Sequence, residues 1–433
     1  MDQTLYQNHL AVLKDNLKPA LGCTEPIAVA YAAAKARELL NAVPCNMTVE
    51  CSGNIIKNVN GVVVPNSDRM KGVDVAAVLG AVGGDASRRL EVLEGIKKTH
   101  IDEAARLIAQ GFCHCSLVEG VENLYIRVFV ESADGHSAEV VLRDYHTNIT
   151  HMEHDGTVLL DRKEHVSTTS VGETDTAGQP ALLSLENILD FATTVQLEDI
   201  KEVIGTQISC NVTLAEEGLQ NPWGTEVGRT LLAAYGDQDV RVRARAAAAA
   251  GSDARMSGCT LPAVINSGSG NQGITVTLPV VEYARALNAS QEKLYRALTL
   301  ANLISIHQKK QIGSLSAYCG AVSAATGAAC GIAYLQDQPF SVLCDTIVNS
   351  IATIGGMVCD GAKPSCAAKI SVAVENALNA LEMAKRQRVF QPGEGIVKRD
   401  AEETIKSVGR MAREGMRSTD VEILNIMLEH DPL

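Results

Sequence analysis

At 433 residues the chain exceeds the usual size of one domain, and 46% hydrophobic against 21% charged residues marks a folded globular protein rather than a disordered one. Its 38 basic and 51 acidic residues leave a net charge of −13, which argues against non-specific binding to nucleic acid or to an anionic membrane but allows a locally positive pocket for a small anionic substrate. Aromatic residues make up only 3%, so an interior rich in Ala and Gly is expected to bring helices close together.

The first residues show no basic segment followed by an apolar one, and no window approaches the roughly 18 apolar residues of a membrane span. A cytoplasmic protein is expected. In that setting the 12 cysteines read as small buried hydrophobes, metal ligands or catalytic thiols rather than a disulfide framework.

Residues 4–42 read as two helices, expected to form an N-terminal unit (1–44) packed on the main domain. Between them lies KPALGCTEP, with Gly22 and Pro26 as punctuation. Cys23 therefore stands near a helix N-terminus. It is either a plain buried loop cysteine or a thiolate favoured by exposed N–H groups and the helix dipole. Residues 46–66 read as extended, with Asn60-Gly61 as a hairpin turn. Residues 71–110 read as helical, broken at AVGGD (81–85), which is a plain loop or a weak anion cradle.

Residues 116–161 alternate in the manner of strands, with Asp134-Gly135 and Asp155-Gly156 as turns. This predicts an antiparallel sheet inside a smaller α/β subdomain over 45–165. His146, His151, His154 and His165 have no tight metal spacing and read as solvated strand and turn residues. Cys113 and Cys115 flank His114, but alternation along a strand argues against a metal site there. A polar stretch at 165–185 reads as a linker, and 166–433 as a mostly helical catalytic domain. The fold class expected is α+β.

Within the helical half, NSGSGNQG (Asn266–Gly273) interrupts an apolar region. The backbone amides, hydroxyls and carboxamides of Asn266, Ser267, Gly268, Ser269, Gly270 and Asn271 could grip a carboxylate or phosphate, or the segment is an ordinary loop. His307, Lys309 and Lys310 share one helical stretch. Lys310 is the candidate for neutralising a substrate carboxylate, solvated surface being the plainer role.

The densest chemistry lies in Tyr318–Lys369. Cys319 heads a small-residue helix, YCGAVSAATGAACG, and Cys359 and Cys366 bracket a Gly/Pro turn, MVCDGAKPSC. This is neither a zinc CxxC pattern nor a ferredoxin run. Three thiolates on a four-iron cluster would leave one iron open.

YCGAVSAATGAACG, MVCDGAKPSC, NSGSGNQG and LGCTEP together resemble the L-cysteine desulfidase family over nearly the whole chain. That family is related to the alpha-chain domain of iron–sulfur L-serine dehydratases and was long catalogued as an uncharacterised conserved family. The resemblance implies a [4Fe–4S] cluster on Cys319, Cys359 and Cys366, with Cys23 as a base or a fourth, displaceable ligand. It further implies that Asn266–Gly273 binds the substrate carboxylate. The activity implied is conversion of L-cysteine to pyruvate, ammonia and hydrogen sulfide. CGAV where the serine enzymes have a CQGE-type sequence, and the short CDGAKPSC segment, point away from serine. No pyridoxal phosphate is expected, and no partner beyond the amino acid, a homo-oligomer being allowed.

Overall fold

The computed structural model describes residues 1–162, 178–313 and 315–430. In chain order the first elements are α1 (Gln3–Asn16), β1 (Pro19–Leu21), α2 (Thr24–Leu40), β2 (Pro44–Cys51), α3 (Gly53–Asn60), α4 (Val73–Gly83) and α5 (Lys98–Ala109). Five strands follow: β3 (Cys113–Leu117), β4 (Tyr125–Ser132), β5 (Ser137–Arg143), β6 (Ile149–His154) and β7 (Thr157–Asp161). The helical half holds α6 (Leu185–Thr194), α7 (Leu197–Gln220), α8 (Val227–Tyr235), α9 (Val240–Met256), β8 (Pro262–Val264), α10 (Gly270–Ala286) and α11 (Gln291–Ile312). It ends with α12 (Gly320–Leu335), α13 (Phe340–Ile354), α14 (Cys366–Lys385), α15 (Ala401–Arg410) and α16 (Arg417–His430). The protein is α+β, and no helix among the described residues is long and apolar enough to cross a membrane.

Two large apolar cores account for the architecture. The smaller gathers α2, α3, α4 and the inner face of a sheet of order β3-β2-β4-β5-β6-β7. β2 and β3 run parallel, and every other neighbouring pair is antiparallel. Alternate residues of β4 (Ile126, Val128, Val130) and β5 (Ala138, Val140, Leu142) are fully or almost fully buried, as expected for a sheet with one covered face. The larger core is helical and built around α12, which packs on α10, α11, α13 and α14. Its small residues allow near backbone contact: a Cβ on Gly327 would lie 2.4 Å from the Ala301 carbonyl oxygen. Scarcity of aromatic residues is thus matched by tight helix spacing.

Three expectations change. The unit expected over 1–44 is divided: α1 packs against α6 and α11 in the helical core, while α2 lies under the sheet in the smaller one. The Ala-rich stretch of α2 is buried nearly all round, which a helix needs when it is held between a sheet and another helix. Residues 46–66 are extended only to Cys51. Ile55, Ile56 and Val59 then share the buried face of α3, and Asn60-Gly61 ends that helix instead of turning a hairpin. Of the predicted linker, residues 165–177 lie outside the described residues, as does His165.

The two halves are tied together where β1 pairs antiparallel with β8, Pro19 opposite Val264 and Leu21 opposite Pro262. This pairing sets Cys23, two residues beyond β1, beside the turn that follows β8.

The α2–α4 crossing has no spare room. A Cβ on Gly80 would stand 2.2 Å from the Ala30 carbonyl oxygen. Gly80→Ala is expected to lower stability in urea denaturation by about 1–3 kcal/mol, the cost of overpacking a filled core. An unchanged midpoint would mean that the two helices are not in contact.

Candidate active site at the cysteine centre

Tyr318 and Val358 form an isolated antiparallel bridge. The amide of Cys319 donates to the Met357 carbonyl (3.0 Å) and that of Cys359 to the Ala317 carbonyl (2.6 Å). Two cysteines forty residues apart in sequence therefore stand side by side. Cys319 is the N-cap of α12, and Cys366 is the first residue of α14, so both thiols sit at helix starts. The turn between Cys359 and Cys366 is pinned from below. Gly361 adopts φ 94° and lies on the Lys57 carbonyl, where a Cβ would come within 2.2 Å. A side chain there would have neither the space nor the backbone geometry.

Lys57 of α3 is 1% exposed, donates to the Cys359 carbonyl (3.2 Å) and pairs with Asp420 of α16. Asn54 donates to the same carboxylate at 2.8 Å. The cysteine turn is thereby held by an element of the smaller core and by the last helix.

The structure brings the thiols of Cys319, Cys359 and Cys366 within electrostatic range of one another. It also packs Cys23 in a small cluster with Val62, Met256, Ala362 and Cys366. Burial, then the neighbouring Cys359 thiol, pushes the Cys319 thiol upward; burial does the same to Cys366, opposed by the Lys363 amide and ammonium.

Of the two readings of Cys23, the structure fits the buried, protonated thiol. It is the N-cap of α2, yet burial and then the Glu25 carboxylate push its thiol well above the usual range, and Arg255 opposes only in part. The thiol is a donor, to Glu25 Oε2 at 2.9 Å. Burial would raise Glu25 as well, but His146 and the Cys23 thiol outweigh it and hold the carboxyl at about 2. Loss of solvation has overridden the helix dipole at the thiol. His146 Nε2 stands 3.8 Å from Glu25 Oε1. The ring comes from the connection between β5 and β6, so the smaller domain contributes to the site.

The NSGSGNQG segment is a turn and the first turn of α10. Asn266 is wholly buried and its carboxamide is used internally: it donates to Asn302 Oδ1 (2.9 Å) and accepts from Ser267 Oγ (3.0 Å) and Ser305 Oγ (3.1 Å). Ser267 and Gly268 lie in the left-handed region, at φ 50° and 80°. Ser269 caps the helix, its Oγ accepting from the Gln272 amide. Thr24 Oγ1 donates to the Gly268 carbonyl at 2.9 Å, joining the two helix starts. Gly270 is glycine because the Arg255 guanidinium lies over it, with Nε only 2.3 Å from where a Cβ would be. Arg255 also donates to Asn271 Oδ1 at 3.1 Å. Gln272 covers Gly320 in the same way.

Lys310 is not in this assembly. Its ammonium donates to the Pro180 and Leu183 carbonyls at 2.9 and 3.1 Å, because position 310 faces a different side of α11. The neighbouring Lys309 is the one whose surroundings include Cys359, Cys319, Lys57 and Glu25. Burial lowers its ammonium to about 8.

Around the thiols, the buried atoms His146 Nε2, Arg255 Nε and Gln272 Oε1 have no hydrogen-bond partner among the described residues. Unpaired buried polar atoms are uncommon, and these three are free to bond a ligand. Sequence reasoning read His146 as solvated, whereas its side chain is only 14% exposed, preferred Lys310 to Lys309 and passed over Arg255. Arg255 had a signal, a charge inside a long Ala-rich helical run; His146 had none.

No three His, Cys, Asp or Glu side chains among the described residues could hold a single metal ion. A polynuclear cluster asks for a different arrangement, since each cysteine meets its own iron. Three half-buried thiols at two helix starts and one bridge, with Lys363 and Lys369 near them, suit a soft, anionic cluster.

The sequence pattern of the serine dehydratase alpha chain matches residues 87–425. The chain belongs to the serine dehydratase alpha-chain family. Similar proteins of this family group carry the name UPF0597 protein. One from Lachnoclostridium phytofermentans is 48% identical over 98% of this chain and 100% of its own length. Others, from Treponema denticola and Porphyromonas gingivalis, are 40% and 37% identical, each over 99% of both chains. The family match spans the three cysteines, the NSGSGNQG turn, His146, Arg255 and Lys309, but begins after Cys23 and Glu25.

Asp420→Ala leaves the Lys57 ammonium buried without its counter-charge. It is expected to lower stability by about 3 kcal/mol in urea titration. Alkylation of Cys359 and Cys366 should accelerate relative to the core thiol Cys330 as the turn loosens. Equal rates in variant and parent would show that Lys57 does not brace the turn.

Proposed function

We propose that this serine dehydratase alpha-chain family member is an L-cysteine desulfidase, a carbon–sulfur lyase that converts L-cysteine and water to pyruvate, ammonia and hydrogen sulfide. Cys319, Cys359 and Cys366 would hold a [4Fe–4S] cluster. The observation that carries the reading is the convergence of these half-buried thiols beside the buried Cys23, Glu25 and several unpartnered polar groups. A bound cluster with three protein ligands supplies a Lewis-acidic iron to the departing group.

The remaining work falls to side chains. Elimination requires a proton to leave Cα while the Cβ–S bond breaks. Cys23 Sγ already carries its proton, so it can receive the Cα proton only as it passes its own to the Glu25 carboxylate, a net uptake of one proton by the pair. His146 lies beside Glu25 and steadies its charge. Amides in the first turn of α10, at Gly270 and Asn271, lack intrahelical partners and face the substrate carboxylate. The shared burial of both helix starts keeps water from the reacting atoms. The aminoacrylate product tautomerises to the imine and hydrolyses after release. A thiol-lined site favours sulfur over oxygen as the departing atom, which sets cysteine ahead of serine.

The family match itself favours one further reading, an iron–sulfur serine dehydratase. Anaerobic reconstitution followed by assay separates the two. The expected result is bound iron and sulfide, a visible charge-transfer band, and a larger kcat/KM for L-cysteine with sulfide released. Cys359→Ser should lose most of the iron and most of the turnover. A larger kcat/KM for L-serine would make the chain a dehydratase, and a colourless protein after oxygen-free loading would end both readings.

A further inference from the structure

We propose that Lys309 receives the α-carboxylate of the substrate and, opposite Glu25, restricts the site to zwitterionic α-amino acids. This rests on the lyase reading above and names the residue that recognises the substrate class.

Three observations converge on it. The first is position. On α11, Asn302, Ser305 and Lys309 recur at intervals of three and four, which places them on one helix face. Asn302 and Ser305 both bond to Asn266 in the NSGSGNQG turn, at 2.9 and 3.1 Å, so this face is directed at that turn. Lys309 continues the same stripe one turn further on, toward the cysteine centre. Lys310 faces away, onto the Pro180 and Leu183 carbonyls.

The second is burial without a partner. The Lys309 side chain is 6% exposed and its ammonium makes no hydrogen bond or ion pair among the described residues, its Nζ keeping only a small opening to solvent. The other buried lysine at the site, Lys57, has both a carbonyl and a carboxylate. A largely buried ammonium without such partners is costly, and a bound carboxylate would relieve that cost.

The third is the charge layout. Glu25 is the carboxylate within electrostatic reach of Lys309, and it is occupied by Cys23 and His146. A free α-amino acid carries an ammonium and a carboxylate on one carbon. Its carboxylate would meet Lys309 and the α10 amides, and its ammonium would face Glu25. Ligands with only one of the two charges would satisfy one side.

Two analogues divide the charges. 3-Mercaptopropionate has the thiol and the carboxylate but no amine; cysteamine has the thiol and the amine but no carboxylate. Inhibition constants are measured on reconstituted protein, with calorimetric binding to the cluster-free form. Lys309→Met is expected to weaken 3-mercaptopropionate by roughly 10–100-fold, the loss of one charge-assisted hydrogen bond. Cysteamine should be unchanged within about twofold, KM for L-cysteine should rise, and iron content should match the parent. Lys309→Arg should recover part of the affinity, and Lys310→Met should leave all of these values alone. Cluster-free Lys309→Met should also melt at a higher temperature than the parent, because it removes an unpaired buried charge.

Equal weakening of both analogues, or of neither, overturns the proposal. So does a lower melting temperature together with lost iron, which would make Lys309 a structural counter-charge to the thiols. The two readings fail separately. An inactive parent that still binds 3-mercaptopropionate through Lys309 would remove the lyase reading alone. An active parent whose inhibition ignores Lys309→Met would remove this inference alone.

Discussion

Two backbone hydrogen bonds, from Cys319 to Met357 and from Cys359 to Ala317, govern the rest of the site. They turn a long-range pairing into a fixed neighbourhood of thiols. α12 and α14 must then begin where they do, with Cys319 and Cys366 at their first turns. The cysteine turn must pass over Lys57, which requires glycine at 361. The Lys57–Asp420 pair in turn fixes where α16 can lie. The tight helix spacing of the larger core serves the same end, since α12 can hold its start rigidly only if its body is packed without slack.

The pattern of helices and strands was largely legible because periodicity reports burial. The β4–β5 hairpin and the helices after residue 185 follow their hydrophobic spacing closely, while β7 leaves Val158 and Leu159 exposed. What escaped was set by tertiary neighbours. The Ala run of α2 reads as a helix, but nothing in it says which core it joins. Asn60-Gly61 can turn a hairpin or end a helix, and the apolar spacing of Ile55, Ile56 and Val59 decided for the helix. Cys113 and Cys115 were read as alternating. Two residues apart on a strand, they share a face, and their sulfurs lie 3.7 Å apart.

The site was legible as a set of cysteines and only dimly as an electrostatic environment. Position at a helix start left Cys23 open between a thiolate and a plain buried thiol, and burial beside Glu25 made it a donor. The choice between Lys309 and Lys310 turns on 100° of helix rotation, which a single charged pair in sequence cannot convey. His146 and Arg255 reach the site from distant segments and owe their roles to the β1–β8 pairing and the hairpin geometry. NSGSGNQG looked like a flexible anion grip. Its side chains instead build a rigid lattice around Asn266, and what is left to offer a ligand is the start of α10.

Burial of the thiols has a consequence for oxidative chemistry. Peroxide and disulfides react with thiolates, and access as well as protonation controls the rate. Cys23, Cys319 and Cys366 are held above the usual thiol range by desolvation. Thiols held protonated by their surroundings react slowly with peroxide and disulfides, so these positions are expected to resist sulfenylation and cross-linking.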